Sequence, residues 1–131
     1  MLRLPVAAVL AVHGLIHFMG LFACWQLATF EQLPYSTTIL GGSVDVGEAG
    51  IRLVGAGWGV AGALVLAGAW LIVRRDHRAL AVVAAATAVS TLMCTLGLPD
   101  AVLGLVVDLA LFAVLVLRVG LEPRPLQAVR R

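Results

Sequence analysis

Four stretches of this chain, residues 4–29, 53–73, 79–98 and 101–117, carry a single formal charge between them, that of Asp108. A helix needs roughly 20 apolar residues to cross a hydrocarbon core about 30 Å thick, and each stretch is near that length. The last is the shortest and is expected to stand nearly upright or to borrow residues at its ends. Of the 131 residues, 62% are hydrophobic and 12% charged, and the charges gather between the stretches instead of dotting them. A soluble domain spreads charge over its surface, so water is not the expected solvent. The expected fold is all-α: one domain, an antiparallel four-helix transmembrane bundle.

Orientation follows from the arginines, because basic residues in short loops are retained in the cytoplasm. Arg3 precedes the first stretch, Arg74, Arg75 and Arg78 lie between the second and third, and Arg118, Arg124, Arg130 and Arg131 follow the fourth. On the other side only Arg52 appears, and the loop 30–50 holds Glu31, Asp45 and Glu48 with no basic residue. Both ends are therefore expected in the cytoplasm, with residues 119–131 as a cytoplasmic tail broken by Pro123 and Pro125. The net charge of +2 belongs to these membrane-proximal turns, so the expected partner is the lipid bilayer and not nucleic acid. A chain without lysine and rich in Ala, Gly, Val and Leu fits a GC-rich bacterial genome, hence an inner membrane.

The start of the first stretch loosely matches a lipoprotein leader ending at Cys24, but Phe22 is bulky for a cleavage box and His13 and His17 interrupt the apolar run. The first helix is expected to be retained. It places His13, His17, Gly20 and Cys24 on one stripe, and the second places Glu48, Arg52, Gly55, Gly59 and Gly62 on another. Glycines at that spacing let helices approach closely, either within the chain or against a neighbour in a homo-oligomer or larger membrane complex. Glu48 and Arg52 are expected to pair as a structural ion pair at the outer end.

The third stretch sets Thr87, Ser90, Thr91 and Cys94 on one face, and the fourth sets Gly104, Asp108 and Phe112 on one face. A carboxylate in mid-span costs about 2.5 to 3.5 kcal/mol on insertion scales, so Asp108 should face inward and find a partner. Counting rise per residue puts His17, Ser90, Thr91 and Asp108 within about two helical turns of one level, with His13 one turn deeper. These five residues form the candidate ligand or proton site. His13, His17 and Asp108 also make a two-histidine, one-carboxylate set of the kind that binds a divalent metal. As acid-base chemistry, His17 and Asp108 are the candidate catalytic pair; as structure alone, they fix helix register. Bis-histidine haem is not expected, since His13 and His17 share a helix and His77 lies in a turn. Cys24 and Cys94 have the character of packing residues, although an oxidising compartment could pair them. Trp25, Trp58 and Trp70 fit interfacial anchors.

The string His13-Gly14-Leu15-Ile16-His17-Phe18-Met19-Gly20 resembles the opening of a group of small bacterial four-helix membrane proteins to which no activity is securely attached. Trp58, Ser90, and Ala101 with Gly104 match further positions of that group, and Asp108 stands where the group has Asn. The resemblance implies the same bundle. The Asn also implies that titration at this position is not general to the group, whereas hydrogen bonding or ligand orientation can be. The function expected from the residues is a membrane-embedded binding or transport-accessory protein. The rival is an intramembrane enzyme acting on a lipophilic substrate, which would need an opening with the polar cluster at its base.

Overall fold

A computed structural model of the chain describes residues 3–121, and the side chains of residues 3–117. Within it lie four helices, α1 Arg3–Cys24, α2 Gly47–Arg74, α3 Ala79–Leu96 and α4 Val102–Leu121, and a two-stranded hairpin of β1 Thr38–Ile39 and β2 Val44–Asp45 between α1 and α2. The molecule is an all-α antiparallel bundle in which α1 packs on α2, α2 on α3 and α3 on α4. Three helices, α1, α2 and α3, are long and apolar enough to cross a membrane, and α4 is a shorter apolar helix over Val102–Leu117. Leu15, Leu53, Val60, Leu92, Leu103 and Phe112 point outward and are mostly exposed. An apolar belt of this kind is stable against lipid and not against water.

The helix ends differ from the apolar stretches for local reasons. α1 stops at Cys24, five residues short of the expected end, because Gln26 takes a left-handed φ of 54°. The Gln26 amide then donates to the Ala23 carbonyl and the Leu27 amide to the Phe22 carbonyl, which closes the last turn as a Schellman motif. Arg75, at φ 60°, does the same for α2, with the Asp76 amide donating to Leu71. At its other end α2 begins at Gly47, six residues before the apolar stretch, so its first turns stand outside the apolar region. The Gly47 amide donates to Asp45 Oδ1 at 2.9 Å, and together with the Thr37 hydroxyl it holds the Asp45 carboxyl below the usual carboxylate range. α4 runs on to Leu121, into the stretch expected as tail; residues 122–131 lie outside the described residues.

Close packing of α1 on α2 rests on the glycines. A Cβ on Gly62 would sit 2.8 Å from the Gly14 carbonyl oxygen, and one on Gly55 would sit 2.7 Å from Cys24 and Trp25. The seam therefore faces the chain's own first helix, not a neighbouring protomer. Glu48 and Arg52 above it are exposed, and among the described residues no ion pair forms between them. Two solvated side chains gain too little from pairing to be held together. The Arg52 carbonyl is used instead, accepting from Trp25 Nε1 at 2.9 Å.

At the end nearer the α2–α3 turn, Ala7, Leu10, Val65, Ala69, Val83 and Ala86 form a dry core, with Leu64, Ile72, Leu111 and Leu115 against it. At the other end the loop folds back over the bundle. Its hairpin turns through Gly41 and Gly42, at φ 64° and 85°, the pair of positive φ values that a type I′ turn requires. The Leu40 amide donates to the Leu96 carbonyl at 2.9 Å, which ties the hairpin to the end of α3.

Candidate functional site

Between the dry core and the folded loop, one side chain from α3 meets two from α1 and one from α4. Ser90 Oγ stands 2.7 Å from His17 Nε2 and 2.7 Å from each oxygen of Asp108. It also lies 3.2 Å from His13 Nε2. His13 Nε2 in turn lies 3.1 Å from Asp108 Oδ1, and His17 Nδ1 donates to the His13 carbonyl at 3.0 Å. Ser90 and Asp108 are 0% exposed and His17 2%, so the polar side-chain atoms of these three must find their partners inside the chain. The helix periodicity explains the meeting: His13 and His17 are one turn apart on the inner face of α1, and Asp108 is the inward residue of α4 at their level.

Counting protons constrains the cluster further. His17 Nδ1 faces a carbonyl and must carry a hydrogen. If Asp108 is a carboxylate, Ser90 donates to it, His17 Nε2 donates to Ser90, and His17 is a cation. If Asp108 is protonated, it donates to Ser90, Ser90 donates to His17 Nε2, and His17 is neutral. Both placements give every donor an acceptor, both leave the cluster with no net charge, and they differ by one proton passed through the serine hydroxyl. In both, the free hydrogen of His13 belongs on Nε2, donated to Asp108 Oδ1.

Four of the five expected site residues are thus in one network. Thr91 is not among them: it is half-buried in the groove between α3 and α4 that Thr87, Leu109 and Phe112 also line. One residue of helix is a turn of about 100°, which carries Thr91 away from the face that Ser90 occupies. Thr87 is buried and spends its hydroxyl on the Val83 carbonyl at 2.9 Å. Phe112 is 60% exposed, because residues four apart drift about 40° per step around a helix and the second step from Gly104 takes it off the inner face. The donors of the expected metal set, His13, His17 and Asp108, converge on Ser90 Oγ, and no group of three or more His, Cys, Asp or Glu side chains arranged to hold a metal occurs among the described residues. Cys24 and Cys94 are both free thiols.

Two members of the cluster, His13 and His17, line a cavity of about 550 Å³, with Ser90 and Asp108 fully buried behind them. Its walls include Ile16, Met19 and Ala23 of α1, Ile51, Val54 and Trp58 of α2, Leu103, Gly104 and Val107 of α4, and the turn between α3 and α4 with Asp100, and its roof is the loop from Gln32 to Gly42. α1 and α4 meet across the His13–Asp108 bond without extended backbone contact, so the cavity also reaches sideways between them, past the exposed Ile16 and Leu103. His13 and His17 line it at the bottom. Trp58 belongs here and not at an interface: its ring lies 5.2 Å from that of His17, edge to face, and fills the space over Gly20, where a Cβ would come within 2.7 Å of it. The signal in the sequence is the pairing of a large ring on α2 with Gly20 on the histidine stripe. No protein-family model, no curated protein and no solved structure matches the chain.

Proposed function

We propose that this is a four-pass inner-membrane protein, both ends cytoplasmic, that binds a small lipophilic ligand in the cavity over the His13–His17–Ser90–Asp108 cluster. The observation that carries the reading is the placement of a buried hydrogen-bonded network beneath a mostly apolar cavity of ligand size, since sites for small molecules fall between about 300 and 1,000 Å³. The core of Ala7, Leu10, Val65, Ala69, Val83 and Ala86 beneath the network offers an ion no polar side chain, which favours binding from one side over passage through the chain. The lateral gap between α1 and α4 suits a ligand arriving from the lipid. The same opening meets the requirement of an intramembrane enzyme, and the one-proton difference between the two states of the cluster is what acid-base chemistry on a bound molecule would use.

Trp58 supplies the test, being the indole that lines the cavity. With Trp25 and Trp70 replaced by Phe, its fluorescence in nanodiscs should be quenched by bromobenzene to a saturating limit. Val107→Phe, which fills the wall, should abolish the saturable part. Quenching that rises linearly with no limit, equal in both proteins, is collision from the bilayer and would refute an occupied cavity.

A further inference from the structure

His13 is 5% exposed, and its Nε2 is taken by Asp108 and Ser90. Its Nδ1 makes no hydrogen bond with the described residues. Yet no buried side-chain nitrogen or oxygen among them lacks a partner, so Nδ1 is open to solvent-sized space, and the space that His13 borders is the cavity. With the ring hydrogen on Nε2 in both proton placements, Nδ1 carries a lone pair and no hydrogen. A bare acceptor at the bottom of a mostly apolar cavity, with its tautomer held by Asp108 behind it, is a preorganised site for a donor.

Resting on the reading of the cavity as a ligand site, we infer that His13 Nδ1 is the atom that recognises the ligand, and that the ligand is a neutral lipophilic molecule with an acidic O–H, of the phenol class. At the floor, charged groups of either sign lack a counter-charge. No arginine lines the cavity, the oxygens of Asp108 are occupied by Ser90 and His13, and the carboxylate in the lining, Asp100, stands at the exposed turn between α3 and α4, away from the histidines. A phenol offers a stronger donor than an aliphatic alcohol, and its flat ring fits walls made by the indole of Trp58, the imidazole of His17 and the thioether of Met19.

The unmodified cavity decides the matter with two probes that differ in the hydroxyl alone, para-hexylphenol and its methyl ether, each displacing bromobenzene from the Trp58-only protein at matched concentrations per lipid. One buried hydrogen bond predicts that the phenol displaces at about tenfold lower concentration, and that the two probes become equal in His13→Phe. Equal displacement in the unmodified cavity, tighter binding of the ether, or failure of both against a saturable bromobenzene signal would each overturn the assignment of His13 Nδ1 while leaving the cavity reading intact. Absence of saturable quenching by bromobenzene would remove the cavity reading itself, and the inference with it.

Discussion

At the scale of single residues, Asp108 is held by geometry that an amide can reproduce. An Asn there keeps an oxygen for the Nε2–H of His13 and offers an N–H to Ser90 Oγ, and Ser90 then donates to a neutral His17. Asp108→Asn is therefore expected to fold, with stability within about 1 kcal/mol of the parent in SDS titration followed by tryptophan fluorescence. Asp108→Leu leaves Ser90 and His13 facing an apolar side chain and should lose about 3 kcal/mol or more. Equal stability of the two variants would show that the network is not formed. Ser90→Ala is expected to be nearly as damaging, at about 1–3 kcal/mol, because it strips the common partner from His17 Nε2 and Asp108 together. Most of this cluster was legible in advance. A carboxylate in mid-span must face inward, and the four-residue spacing of His13 and His17 fixes their shared face. What spacing could not separate was Ser90 from Thr91, adjacent residues with similar hydroxyls, nor could it show that a hydroxyl would sit where a metal was conceivable.

At the scale of helices, the close approach of α1 to α2 makes the glycines unequal. A Cβ at Gly62 meets backbone, the Gly14 carbonyl, at 2.8 Å, whereas one at Gly59 meets the movable end of Leu21 at 3.1 Å. Gly62→Ala should then cost about 1–3 kcal/mol in the same titration and Gly59→Ala less than about 1; the reverse order would mean that the helices pack on another face. The seam was visible as a repeat in the sequence, but its partner was not, because close packing of small residues serves intramolecular and intermolecular contacts alike. Helix ends were read less well. Hydropathy carries no information on the left-handed Gln26 that stops α1, and the polar first turns of α2 escape a search for apolar runs. The Gly41–Gly42 dipeptide is a recognisable hairpin signal, yet its place as a roof depends on the Leu40–Leu96 bond, which joins residues far apart in sequence.

For the whole molecule, the arrangement of a dry core at one end and a roofed cavity at the other makes the two halves different toward water. The proposed orientation places residue 36 outside and residue 77 inside. In a background with Cys24 and Cys94 replaced by Ala, a membrane-impermeant thiol reagent added to whole cells should label Ser36→Cys and spare His77→Cys. Labelling of His77→Cys alone would invert the topology. Nothing in hydropathy foretold the cavity, which arises because α1 and α4 touch through a histidine and a carboxylate and not through a packed seam.

The most direct test of a one-sided cavity is thiol labelling of Val107→Cys and Ala86→Cys in the same cysteine-free background, using a small charged methanethiosulfonate added separately to each face of sealed vesicles. Val107, which precedes Asp108 in the sequence, lines the cavity, and Ala86 lies in the apolar core at 2% exposure. The expected result is modification of Val107→Cys from the face that labels Ser36→Cys, and no modification of Ala86→Cys from either. Modification of Ala86→Cys, or of Val107→Cys from both faces, would reveal a water path through the bundle and contradict a site that opens to one side.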